Sequence, residues 1–169
     1  SYEWGGGAIG SDLPLRRLLL QQFAYVPLPG GLVLGAAVRA ESAAGAGSGL
    51  LETDRLQAGG ANTVRGYADD VLVDPAVISF LEGATRLVVG NLELRLPIRG
   101  PVRGVLFGDG AVLREEFVGG TRHRSIWSTG IGLRYVTPVG ILRVDYGIPL
   151  DEGFDPKRGR VYFSLGQVF

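Results

Sequence analysis

The residues best suited to chemistry are few and scattered. His123 is the single histidine among 169 residues, it is flanked by Arg122 and Arg124, and the chain has no cysteine. With no second imidazole and no thiolate to share an ion, metal ligation has no donor set, and a His-based triad lacks its partners. His123 therefore reads as a solvated loop residue. No serine or threonine sits in a nucleophile elbow, and Gly45 to Gly49 lacks the Lys-Ser/Thr ending of a phosphate loop. Asp69, Asp70 and Asp74 could touch Ca²⁺, but their spacing is not that of a calcium loop and a wet acidic turn explains them more simply. Glu115-Glu116 and Asp151-Glu152 read as charges at hairpin tips. No catalytic residue, no metal and no cofactor is expected, and the chain does not read as an enzyme.

One constellation stands apart. Glu93 and Asp109 fall on the charged face of two adjacent strands joined by a turn near residues 98–101, which places the carboxylates opposite or diagonal, about 5–8 Å apart. Two like charges that close repel, and a guanidinium between them relieves the repulsion and can bond bidentately. Arg65 is the candidate cation. Spacing alone leaves it open whether Arg65 is such a counter-ion or an ordinary solvated loop arginine.

The elements that would position these residues are strands. Gly 28 and Pro 9 make up more than a fifth of the chain, which argues against a helical bundle. Lys+Arg 17 balances Asp+Glu 17, so nucleic acid is not an expected partner. Alternating stretches at 2–9, 13–27, 31–42, 84–97, 102–114, 126–137, 140–149 and 159–169 predict about eight strands in one domain covering 1–169. Short Gly/Pro connections predict antiparallel hairpins. The exception is a long loop at about 43–83. On the strands, Leu92, Leu94 and Leu96 oppose Asn91, Glu93 and Arg95, and Leu142 and Val144 oppose Arg143 and Asp145. In a soluble barrel the apolar face would be the core; in a transmembrane β-barrel it would meet lipid. Strand lengths near those of a tilted spanning strand and aromatics near strand ends (Tyr25, Trp127, Tyr135, Phe163, Phe169) favour lipid. Ser1-Tyr2-Glu3-Trp4 lacks the order of a signal peptide, so an exported protein would have lost its targeting segment.

Four motifs in order carry a resemblance. Leu56-Gln57-Ala58-Gly59-Gly60-Ala61-Asn62-Thr63-Val64-Arg65-Gly66-Tyr67 is similar to the large extracellular loop of the BamA/TamA/FhaC superfamily of outer-membrane insertases and two-partner secretion pores. Gly90 to Pro97, Phe107-Gly108-Asp109, and the run from Gly130 to Gly147 resemble successive strands after that loop. The resemblance covers essentially the whole chain. It implies an all-β, antiparallel transmembrane barrel, localised to the outer membrane of a Gram-negative-type cell or an organelle derived from one. The chain would supply about eight strands, the C-terminal half of the sixteen-stranded family barrel, with no periplasmic POTRA module. It also implies that Val64, Arg65, Gly66 and Tyr67 form a loop tip docking on Glu93, Phe107 and Asp109.

An unpaired strand edge in lipid leaves backbone groups bare, so closure is required: by a compact eight-stranded barrel, by pairing with a second copy, or within a longer protein. The single eight-stranded barrel is the expected form, and in so narrow a lumen the loop of about forty residues would not fit whole. Gly5, Gly6 and Gly7 either weaken the seam against a terminal strand containing Phe163, Gly166 and Phe169, where the resemblance implies that a client strand adds, or relieve crowding in a tight small barrel. Expected partners are outer-membrane lipid, client outer-membrane or secreted proteins, and a second copy of the chain. The alternatives are a structural or fragmentary barrel without insertase activity, and a soluble ligand-binding β-barrel.

Overall fold

The computed structural model describes residues 2–5, 15–45, 56, 58–69, 84–117, 120–151 and 155–166. Its strands are β1 (Tyr2–Gly5), β2 (Leu15–Pro27), β3 (Val33–Gly45), β4 (Ala84–Arg99), β5 (Val102–Phe117), β6 (Gly120–Thr137), β7 (Gly140–Pro149) and β8 (Arg160–Leu165). Seven successive antiparallel ladders join them in sequence order into one open sheet. Short connections explain the pairing of β2 with β3 and of β4 through β7, because a chain that turns within a few residues can pair only with its antiparallel neighbour, whereas β3 and β4 pair across the long connection. At the β2–β3 turn, Gly30 and Gly31 both take φ 75°, a left-handed conformation that favours glycine. No α-helix is present among the described residues, only single 3-10 turns at Pro29–Gly31 and Pro156–Arg158.

Alternation sorts the side chains as two faces. Outward stand Leu92 at 51 %, Leu106 at 50 %, Ile131 at 60 %, Leu133 at 52 % and Phe163 at 71 % exposure, while inward Glu93 is wholly buried and Asp145 is 1 % exposed. The inner face is buried because a segment of the long connection between β3 and β4 lies on it. Leu56, Ala58, Val64 and Tyr67 of that segment pack with Ala43, Leu87, Val89, Ala111, Leu113 and Ile126 into the apolar core. Each fully buried Val or Leu there contributes about 1.5–3 kcal/mol. The hydrophobic core is thus made between loop and sheet.

Several expectations change. No ladder joins β1 to β8 among the described residues, so the sheet does not close on itself there. Its inner face therefore has room for the loop segment that a narrow closed barrel would exclude. The β5–β6 hairpin runs further than alternation suggested: Glu115 is a buried residue of β5 opposite Arg122, and His123 is an exposed residue of β6, not of a loop. A ladder needs only backbone groups, so it continues beyond the apolar belt where both faces are polar. For the same reason Trp127 lies well inside β6. Tyr25 lies beneath the Arg95 guanidinium, 5.0 Å from ring centroid to cation, and so belongs to the inner face and not to an outer aromatic belt.

Candidate functional site

Register assembles the site from three hairpins. Asn91 stands opposite Asp109, and Glu93 opposite Phe107, which makes Glu93 and Asp109 diagonal neighbours on the inner face. Across the β6–β7 ladder Leu133 faces Val144 and Arg134 faces Arg143, with Gly132 opposite Asp145, so Arg134 and Asp145 are also diagonal. These positions converge below the loop.

The loop tip is held in shape by its own backbone. The Gly59 N–H donates to the Thr63 hydroxyl at 2.8 Å, that hydroxyl donates to the Gly59 carbonyl at 2.5 Å, and the Gly60 N–H donates to the Tyr67 carbonyl at 3.1 Å. This leaves Arg65 at the apex, with no exposed surface. Its Nε donates to Asp109 Oδ2 at 2.7 Å and its Nη2 to Asp109 Oδ1 at 2.8 Å, a bidentate fork; its own backbone N–H adds a third bond to Oδ2 at 3.1 Å. Nη1 donates to Glu93 Oε1 at 2.7 Å and lies 3.5 Å from Asp145 Oδ2. The guanidinium also stacks on Phe107, 3.5 Å from the ring centroid, a cation–π contact strengthened by desolvation. Burial alone would lower the Arg65 pKa, but the hydrogen bonds and charge of Asp109, with Glu93 and Asp145, outweigh it and hold the cation above its ordinary range.

The remaining valences are filled from the sheet. Arg134 bonds Glu93 Oε1 at 3.0 Å and Asp145 Oδ1 at 2.5 Å, and Arg95 bonds Glu93 Oε2 at 3.0 Å. Arg143 donates to the loop carbonyl of Ala61 at 2.9 Å, and Asn91 bridges the Thr63 carbonyl at 2.6 Å and Asp109 Oδ1 at 2.9 Å. Gly66 takes φ 102° and lies against Gly147, where a Cβ on Gly66 would come 3.0 Å from the Gly147 carbonyl carbon. The Tyr162 hydroxyl accepts from the Gly66 N–H at 3.0 Å and donates to the Tyr67 carbonyl at 2.5 Å.

Tyr67 closes the apolar end. Its ring joins the core and its hydroxyl donates to the Trp127 carbonyl at 2.9 Å. Burial, then the charge of Asp151, push its phenol above the ordinary tyrosine value. A raised folded-state pKa means that this contact contributes stability below the free-tyrosine pKa, about 10, and loses it as pH climbs through and beyond that value. Phenolate absorbance followed alongside unfolding should therefore show an alkaline loss of stability that is smaller in Tyr67→Phe; equal loss in both proteins would remove Tyr67 from the account.

The structure thus brings Val64, Arg65, Gly66 and Tyr67 onto Glu93, Phe107 and Asp109. Among the seam residues, Gly5 ends β1 at one edge of the sheet, Phe163 stands outward on β8 at the other, and Gly166 follows β8 with its N–H on the Ile141 carbonyl at 2.8 Å. Gly6, Gly7 and Phe169 lie outside the described residues. Sequence reasoning missed that Arg134, Arg143, Asp145, Arg95, Asn91 and Tyr162 belong to the docking site. Alternation had already put Asn91, Arg95, Arg143 and Asp145 on the charged face; what it lacked was the stagger that brings β7 beside the loop.

A sheet that turns one apolar face outward and buries Glu93, Asp109 and Asp145 under an inward-docked loop differs from a soluble sheet, whose charged face is the wet one. This chain belongs to the Omp85 superfamily: residues 1–169 match that superfamily's domain. It is 30 % identical over 181 aligned residues to the outer membrane protein assembly factor BamA of Nitratidesulfovibrio vulgaris, covering 99 % of this chain and 22 % of that protein. It is 33 % identical over 117 residues to the chloroplastic outer envelope protein 80 of Arabidopsis thaliana, covering 64 % of this chain and 14 % of the relative. The chain therefore spans about a fifth or less of the length of these curated relatives. Family and relatives together indicate the outer membrane of a Gram-negative-type cell, or of an organelle derived from one, as its location.

Proposed function

We propose that this chain forms part of the barrel wall of an outer-membrane protein that inserts or translocates other proteins, with its outward apolar face against lipid. The observation that carries the reading is the wholly buried Arg65 of the loop tip, held by Asp109 and Glu93 on the inner face. Such a plug suits a lumen that must stay sealed while the wall beside it is remodelled. Among the described residues nothing pairs with the outer edges of β1 and β8, and a bare backbone group costs several kcal/mol in hydrocarbon. We infer that they pair within a larger closed barrel, of the sixteen-stranded kind that the resemblance implies. Closure of this sheet alone would compress the space the loop segment occupies, and Phe23 and Tyr25 on the inner face of β2 are still 43 % and 44 % exposed. A client strand would add at an edge by backbone pairing, with the client's own folding as the source of free energy. No catalytic chemistry is invoked.

The test is reconstitution. The purified protein in liposomes should accelerate assembly of an unfolded client barrel relative to empty liposomes, read by protease protection of the client. Stable integration into liposomes with no acceleration would support an inert wall instead, and a protein soluble without detergent would remove the lipid assignment.

A further inference from the structure

We propose that the turn-side end of the inner face is a binding site for a phosphate-class oxyanion. A cavity of about 200 Å³ lies there, lined by Gly31, Val33, Arg95, Arg103, Arg134, Val136 and Ile141. Three guanidiniums from β4, β5 and β6 border it, and among the described residues no carboxylate does. Arg134 is only 3 % exposed and its two Nη atoms are taken by Glu93 and Asp145, so it lends the cavity charge, and Arg103 is the arginine with donors to spare. Arg103 reaches only backbone oxygens, those of Gly100 at 2.7 Å and Val102 at 3.2 Å.

The charge balance points the same way. The docking cluster sets the four cations Arg65, Arg95, Arg134 and Arg143 against the three anions Glu93, Asp109 and Asp145. Arg103 adds a further cation at the cavity. The buried members balance, Arg65, Arg134 and Arg143 against Glu93, Asp109 and Asp145, so the excess rests on the part-exposed Arg95 and Arg103; an arginine cannot shed its proton to relieve that excess, and an anion from outside can. A carboxylate has two coplanar oxygens, which one guanidinium fork can saturate. Guanidiniums approaching from three strands fit an anion whose oxygens point in several directions, and the volume exceeds several times the roughly 30 Å³ share of one water. The oxyanion could be free phosphate or the headgroup of a phospholipid.

Calorimetric titration of the full chain in zwitterionic detergent, with chloride matching ionic strength, distinguishes these. Inorganic phosphate and short-chain phosphatidic acid are the two probes. Saturable one-to-one binding of inorganic phosphate assigns the site to the free ion, and binding of the phosphatidate alone assigns it to a headgroup. Arg103→Gln, which leaves the loop cluster intact, should weaken binding at least tenfold. Val136→Phe, which fills the cavity and keeps every guanidinium, should abolish it, while Arg99→Gln, outside the cavity, should change nothing. Absence of saturable binding by both probes, or equal weakening by Arg99→Gln, overturns the proposal.

Discussion

Arg65→Ala should lose about 3–5 kcal/mol of unfolding free energy, the cost of stripping one partner from a buried ion pair. The loss should be large because Asp109 depends on the Arg65 side chain for its fork and keeps, among the described residues, just the residue-65 backbone N–H and Asn91. Glu93, by contrast, keeps Arg134 and Arg95. This asymmetry gives a sharper expectation than the loss itself. In the Arg65→Ala background, Asp109→Asn should restore part of the stability by removing a stranded charge, whereas Glu93→Gln should restore little. Arg65→Lys should behave nearly as alanine does, since a lysine cannot reproduce the fork or the stacking on Phe107. Denaturant unfolding in detergent reads each variant, and strictly additive losses for Arg65→Ala and Asp109→Asn would show that the pair is not coupled.

Gly147→Ala should undock the loop. A Cβ on Gly147 would lie 2.5 Å from the Gly66 nitrogen and 2.6 Å from the Arg65 carbonyl carbon. Both are backbone atoms, so the clash cannot be relieved by a side-chain rotation, and the tip must move away from β7. Overpacking of this kind costs about 1–3 kcal/mol, and a tip that lifts also breaks the hydrogen bonds of Arg65, which adds to the destabilisation. Faster amide exchange at Arg65 and Gly66, and new protease cleavage within 56–69, would report it. Gly90→Ala is the control, because nothing lies within 4 Å of a Cβ there; it should stay within about 0.5 kcal/mol of the parent. Unchanged amide exchange at Gly66 in Gly147→Ala would show that the close approach does not govern docking.

How much of this was readable beforehand differs between residues. Leu92 out and Glu93 in followed from a period of two, and Glu93 with Asp109 followed from the position of one turn. The partnership of Arg65 with them needed the resemblance of the 56–67 segment, since nothing in spacing distinguishes a docked loop arginine from a wet one. Strand ends were harder. Glu115 and His123 were read as turn or loop residues because apolar alternation stops there, yet backbone pairing carries β5 and β6 past them. Tyr25 misled for a related reason: an aromatic near a strand end suits an interface with lipid as well as a stack beneath Arg95.

The linear chain by itself determined which residues alternate and that Leu92 and Leu94 share one side while Glu93 and Arg95 share the other, because strand pleating maps sequence parity directly onto side. Only the tertiary structure decided which face is buried and by what. That depends on residues 58–69 lying across the sheet, and on strand stagger bringing Arg134 and Asp145 within reach of Arg65, 69 and 80 residues away in sequence. Proximity of that kind is set by where backbones lie in space, and no local period encodes it.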